Sequence, residues 1–482
     1  MVLSTLGKVL LIEALLLIFP MLVGVIYSDG TFLAFLIPVI GLLIVGAPLS
    51  LIKTKYKSIY AKEGFVIVAL AWVILSLAGA VPFVISGQIP NFINAVFETV
   101  SGFTTTGASI LESEDLLGLS KGMMFWRLFT HWIGGMGVLV FVLAVMPSNT
   151  SGAMHVFRAE SPGPTVGKLV SKLRFTARIL YGIYFVMTVS ELIFLLFGGN
   201  SFYDSLLLSF TTAGTGGFGI KSDSVMGYNS YTQIVISIFM LLFSINFNVY
   251  YLILIGSVSK AFKSEELRVF IIIVVVATIT VAINIFMSMR ELYSTFGSAL
   301  KHSFFQVTSI SSTTGLASTN FDEWPAYSRC ILLFLTVMGA CGGSTGGGMK
   351  VSRMTILFKS ATSDIKRLIN PRSVVCTKFE GEVVDRETER NARAYFIFWT
   401  AIFLACTILL TIDSYGDLMS DFTATLACIG NVGPGLGVVG PMGSYAGYSG
   451  FSKILLSFVM LIGRLEIFPM LILFVPRTWR RG

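Results

Sequence analysis

Four stretches of this 482-residue chain offer oxygen ligands and glycines and little other chemistry. They read Phe103-Thr-Thr-Thr-Gly-Ala-Ser109, Ala213-Gly-Thr-Gly-Gly-Phe-Gly219, Ser311-Ser-Thr-Thr-Gly-Leu-Ala317 and Ile429-Gly-Asn-Val-Gly-Pro-Gly435. Glycine permits backbone conformations closed to other residues, so each loop can turn its carbonyls toward a common axis. Rings of carbonyls that replace a hydration shell select small cations such as potassium, and neighbouring threonine hydroxyls add ligands at the same level. The glycines that align best are Gly107, Gly217, Gly315 and Gly433, spaced 110, 98 and 118 residues apart. A repeat of about 110 residues follows, and a fixed period reports architecture before other signals do.

The elements around these loops recur as well. Each loop follows a half-apolar segment (91–101, 202–212, 296–308 and 417–427) too short to cross a bilayer, which needs roughly 20 residues. Helix-start residues stand at Asn91, at Ser201 or Asp204, at Ser294 and at Asp417. Long apolar helices flank each short one, and ten spans are expected: 9–26, 32–52, 66–85, 125–146, 179–197, 234–258, 269–289, 331–338 with its continuation, 395–412 and 454–475. Irregular backbone persists at membrane depth only where protein buries it or where it lines a water-filled path. Ordinary turns could account for one or two such loops, but not for four behind helices too short to span.

Composition agrees, with 54% hydrophobic and only 12% charged residues, about half the charged share of a soluble domain. The formal net charge of +8 is unevenly placed. If the spans alternate from an inside amino terminus, 26 of the 34 Lys and Arg fall on one side, at Lys8 and in 53–62, 158–178, 260–268, 350–393 and 477–481. The opposite loops carry Asp29, Glu112, Glu114, Asp115, Asp223, Asp322 and Glu323. This positive-inside bias predicts a multi-pass cell-membrane protein with both termini cytoplasmic. The basic residues are not interleaved with aromatics, so no nucleic-acid partner is expected. The first apolar segment lacks a small-x-small cleavage site and turns at Tyr27-Ser-Asp-Gly30 into a second span, which argues against a signal peptide. Five cysteines without CxxC spacing imply neither a disulfide framework nor a zinc site.

At these loops the chain resembles the TrkH/KtrB/HKT superfamily of potassium transporters, and the two helices ahead of the first repeat favour the TrkH branch. The resemblance covers nearly the whole chain. It implies an all-α membrane protein of four units, each a long helix, a pore helix, a filter loop and a second helix, around one pore. The units are expected at 59–150, 170–262, 264–372 and 390–482, after an amino-terminal two-helix domain, 1–58. Carried onto this sequence, potassium would be held at Thr105, Thr106 and Gly107, at Thr215, Gly216 and Gly217, at Thr313, Thr314 and Gly315, and at Asn431, Val432 and Gly433. Plant relatives with a serine at the first filter glycine prefer sodium, so Gly107 favours potassium. Loops two and four depart from the plain Thr-Thr-Gly form, which leaves their register open. The resemblance also implies a homodimer and a cytosolic nucleotide-binding regulatory subunit of the TrkA/KtrA type, with potassium as substrate and no cofactor in this chain.

Two further features bear on control. Gly342, Gly343, Gly346, Gly347 and Gly348, with Ser344 and Thr345 among them, are too many glycines for a continuous helix, at roughly 1 kcal/mol each relative to alanine. The second helix of the third unit should therefore break into a flexible loop on the cytoplasmic side of the filter, where the family has its gating loop. Met349 stands where a phosphate-binding loop needs its lysine, and Gly435 to Gly440 fits GxGxxG without the strand–turn–helix context, so neither is expected to bind a nucleotide. Arg464 lies mid-span in the last helix, where a charge is costly unless paired or facing water. It is expected to face the pore and hold the glycine-rich loop by its carbonyls, the alternative being a structural pair with Glu466 or a distant carboxylate. Glu98 should make a buried hydrogen bond or ion pair, and Asn246 and Asn248 should bond between helices.

Rival functions find less support. His131 and His302 have no serine set apart beside them, and no HExxH is present, so an intramembrane enzyme is not expected. An ion-coupled secondary transporter with broken helices is the closer alternative, although such folds commonly pair inverted repeats. No ATPase motif is present, so transport should draw on the membrane potential, about 2.3 kcal/mol per charge per 100 mV.

Overall fold

The computed structural model describes residues 2–52, 61–137, 173–372, 375–413 and 415–479. The end of the expected span 125–146, the basic residues at 53–60 and 158–172, Arg480 and Arg481, and the expected unit boundaries near 58, 150 and 170 lie outside them. Among the described residues the named regular elements are helices, apart from one two-stranded hairpin, Lys378–Phe379 paired with Glu382–Val383.

The amino-terminal helices Val2–Leu16 and Ile18–Ile26 run as one span, which folds back against Phe32–Leu51. Gly46 sits so close to the carbonyl of Gly7 that a methyl there would touch it at 3.0 Å. Between them Asp29 accepts from Thr31 N and, at 2.7 Å, from Gly122 N, pinning this hairpin to the first unit.

Each unit then repeats one order. The long helices are Ala61–Ile85, Leu173–Phe197, Glu265–Ser288 and Arg386–Leu410. The short ones are Phe92–Phe103, Phe202–Gly214, Phe296–Ser311 and Leu418–Gly430, each ending two or three residues later than expected. Asn91, Ser201 and Asp417 cap their free N–H groups, and in the third helix Thr295 does so rather than Ser294. Their C-terminal halves are buried, which is where the four loops begin.

The second helices correct two of the expected spans, since 234–258 and 454–475 are interrupted at 244–246 and 465–467, whereas the break after Met338 was expected. These helices are Lys121–Gly135, Ser230–Phe243, Ala326–Met338 and Gly450–Arg464, only 13 to 15 residues long. Six described helices are long and apolar enough to cross a membrane, or seven if Ser230–Phe243 and Phe247–Leu254, bent by 87°, count as one. The breaks are possible because the freed backbone groups find partners. Cys341 N donates to Ser244 O at 3.1 Å, and Phe247 N donates to Gly343 O at 3.0 Å.

Candidate functional site

The four loops share one backbone course. Thr105, Thr215, Thr313 and Asn431 lie in the left-handed region, with φ of 54, 54, 62 and 52°. Gly107, Gly217, Gly315 and Gly433 follow two residues later at 83, 87, 80 and 93°. Between them the N–H groups of Thr106, Gly216, Thr314 and Val432 donate back to carbonyls five residues earlier, at 2.8 to 2.9 Å. A β-branched threonine at positive φ costs about 1–3 kcal/mol, and such strain gathers at functional sites. Three of the four quarters carry it.

With those N–H groups turned back to their helices, the carbonyls of the same residues face the neighbouring loop. A Cβ added to Gly107 would overlap the oxygen of Gly216, one on Gly217 that of Thr314, and one on Gly315 that of Val432. One on Gly433 would stand 2.6 Å from the oxygen of Thr106, which closes the circle. Loops one to four thus form a ring in chain order, built from a single polypeptide, with four equivalent carbonyls against four glycines.

The departures in loops two and four have local causes. A Cβ at Gly216 would collide with the ring of His131, which lies tilted against Phe218 with centroids 4.2 Å apart and is 3.4 Å from Thr211 Oγ1. Loop two therefore carries glycine where loops one and three carry threonine. In loop four, Asn431 Nδ2 donates to Thr106 Oγ1 at 2.9 Å and to Met460 O at 3.0 Å, tying the last quarter to the first.

On one side of the ring a cavity of 580 Å³ reaches Gly107, Gly217, Gly315 and Gly433, with Glu112 and Arg127 on its wall. Arg127 pairs with Glu98 at 2.6 Å, both being buried. Glu98 also accepts from Ser109 Oγ and Ile110 N, at 2.9 and 3.0 Å. Arg127 donates to Gly219 O at 3.0 Å and lies 3.7 Å over the Phe218 ring, so the pair braces loops one and two. Removing one partner of a buried pair strands a charge, at about 3–5 kcal/mol. Arg127→Met is expected to lower the thermal unfolding midpoint in detergent markedly, and Glu98→Gln to lower it less because the amide still accepts. Equal midpoints in Arg127→Met and the parent would refute the brace.

At the opposite ends of the second helices lies a smaller cavity of 70 Å³, bounded by Gly346, Gly347, Gly348, Lys350, Arg464 and Trp72. The glycine-rich loop does break the helix after Met338, and in this structure it is packed against its neighbours. Gly342 N donates to Glu266 Oε1 and Gly347 N to Thr313 Oγ1, both at 2.6 Å. Thr345 Oγ1 donates to Phe243 O at 3.1 Å, and Ser344 Oγ to Cys341 O at 2.7 Å. The loop is thereby docked on the ring itself, through Thr313. Gly343 and Gly348 sit at φ of 68 and 77°.

Arg464 joins three units. It donates to Thr345 O at 2.8 Å, to Gly135 O at 2.9 Å and to Gly134 O. Glu466 makes its ion pair with Arg353, whose guanidinium also lies over Tyr395. Reasoning from sequence missed that pair, and it missed Lys350, a buried lysine at φ 74° whose Nζ bonds to Gly346 O. A lysine directly after the glycine run was the available signal. Asn246 caps Phe247–Leu254 and reaches Glu266 at 3.4 Å, whereas Asn248 is exposed. His302 bonds to Ser318 at 3.0 Å. Gly435 to Gly440 holds a single 3-10 turn, Gly437–Val439.

Comparisons with known proteins follow the same outline. The family model described as TrkH, cation transport protein, matches residues 33–481. The Trk system potassium uptake protein TrkH of Salmonella typhimurium is 34% identical over 470 residues, 96% of each chain. TrkG of Escherichia coli, also a Trk system potassium uptake protein, is 31% identical, over 96% of this chain and 94% of its own. The crystal structure of the potassium transporter TrkH from Vibrio parahaemolyticus superposes with a TM-score of 0.88 at 30% identity, covering 99% of both chains.

Proposed function

Because this chain belongs to the TrkH family of cation transport proteins, we propose that it takes up potassium through one pore whose selectivity filter is the ring of four loops. It is a multi-pass membrane transport protein and not an enzyme. The observation that carries the filter reading is the closed ring itself. Four loops of unlike sequence share one backbone course, and each sets a carbonyl against a neighbouring loop's glycine. Carbonyls fixed in this way can replace the hydration shell of a dehydrated cation. The expected ligand positions are Thr105 to Gly107, Thr215 to Gly217, Thr313 to Gly315 and Asn431 to Gly433.

The glycine-rich loop is the gate, shut by Arg464 and Lys350, whose charges bound the inner cavity. Movement is driven by the membrane potential, and both termini are cytoplasmic. The functional assembly is a homodimer with a cytosolic nucleotide-binding subunit of the TrkA/KtrA type. The chain divides into the two-helix domain and four units already delimited.

Potassium-loaded liposomes carrying the purified protein test this. Potassium and rubidium should pass well ahead of sodium and lithium. Equal passage of sodium would overturn the filter assignment. Flux that needs an imposed proton or sodium gradient would replace the pore with an ion-coupled transporter.

A further inference from the structure

The helix Val351–Ile369 leaves the glycine-rich loop, and the strands Lys378–Phe379 and Glu382–Val383 follow it as a hairpin. Phe379, 5% exposed, fixes the hairpin to that helix by packing with Ile356 and Ala392. At the hairpin's turn Glu380, with φ of 53°, reaches a different element. Its carboxylate accepts from Ser264 Oγ at 2.8 Å and from the N–H groups of Glu265 and Glu266, both at 3.0 Å. Those are free donors at the start of Glu265–Ser288, where a negative charge is favoured. Glu380 N donates in return to Glu265 Oε2 at 3.2 Å, while Lys359 pairs with Glu265 and bonds to Lys378 O.

Glu266, at the gripped helix end, points inward and is 5% exposed. One of its oxygens accepts from both Gly342 N at 2.6 Å and Ser352 N at 3.1 Å, the residues at the entry and exit of the glycine-rich loop. The hairpin is thus joined to the loop twice, through the helix it packs on and through the carboxylate beside its grip.

We propose that Glu266 and Glu380 are positioning residues of the gate: the hairpin staples Glu265–Ser288 in place, and Glu266 thereby holds both ends of the glycine-rich loop shut. This rests on the reading of that loop as the gate. Any pull applied to the hairpin from the aqueous side would reach the loop through these contacts, which gives a cytosolic protein a handle on it.

Potassium flux from liposomes reads the staple directly. Glu380→Gln should raise basal flux about two- to tenfold, the range of a lost carboxylate at a helix start. Glu266→Gln should raise it about tenfold or more, since charged hydrogen bonds are the stronger ones. The double variant should leak no more than Glu266→Gln alone, because Glu380 acts through Glu266. The potassium-to-sodium ratio should stay unchanged in all three. Should Glu380→Gln fold poorly, Glu380→Asp keeps the charge on a shorter arm and should fall between it and the parent. Flux at the parental level in Glu380→Gln, with a leak in Arg464→Ala, would overturn the staple and leave the gate standing. Parental flux in Arg464→Ala as well would overturn the gate and the staple together.

Discussion

Arg464→Ala should raise basal potassium flux by about ten- to hundredfold, the equivalent of one or two charge-assisted hydrogen bonds lost from the shut state. Thr345 O, Gly135 O and Gly134 O would lose their shared donor, and with it a contact that joins the gate loop to both the first and fourth units. A cation would leave the inner cavity at the same moment. Arg464→Lys separates these two effects. Lysine keeps the charge but lacks the planar fork that serves carbonyls on two sides at once. If charge alone bars the pore, the lysine variant should stay shut; if the cross-links matter more, it should leak partway to the alanine level. Unchanged flux together with a lower unfolding midpoint in Arg464→Ala would mean that the arginine is a structural strut.

Gly107→Ser should lower the potassium-to-sodium flux ratio by about tenfold or more, as a carbonyl filter forced out of shape would. Two constraints meet at this glycine. Its φ of 83° is strained for any side chain, and the space beside it already holds the oxygen of Gly216. A serine Cβ must push that oxygen away, and that oxygen is one of the four that the ring presents. Gly118→Ala is the matched control, since Gly118 has open space around it and lies outside the ring. It should leave the ratio untouched. A folded Gly107→Ser protein with the parental ratio would show that the carbonyl next to Gly107 takes no part in selection.

Several of these elements could be read from the chain because their physics is local. A short helix with a polar cap at its start and a hydroxyl- and glycine-rich loop at its end is written within about 20 residues, and it is written four times. Loops two and four were harder, because His131 and Met460, which explain Gly216 and Asn431, lie far away in sequence. The second helices misled for a related reason. Ser244-Ile245-Asn246 sits in an apolar run without glycine or proline, and the glycine-rich loop, about 100 residues later, supplies partners for the backbone freed where it leaves the helix. The Arg353–Glu466 pair spans 113 residues, and no periodicity records it. Glu98 was visible as a buried acid in need of a partner, whereas the choice of Arg127 belongs to packing.

The ring closes between residues 325 positions apart, Thr106 and Asn431. A ribosome must therefore make nearly the whole polypeptide before the final seam can form. Three quarters alone would leave loop one without its neighbour and would expose backbone that a bilayer penalises by several kcal/mol per group. Prematurely terminated chains should accordingly be cleared as misfolded proteins, with no half-built hole left to discharge the cell. One polypeptide per ring also means that a missense change alters a single quadrant, where a ring of four identical subunits would suffer it four times. Selectivity in such a protein can drift by quarters.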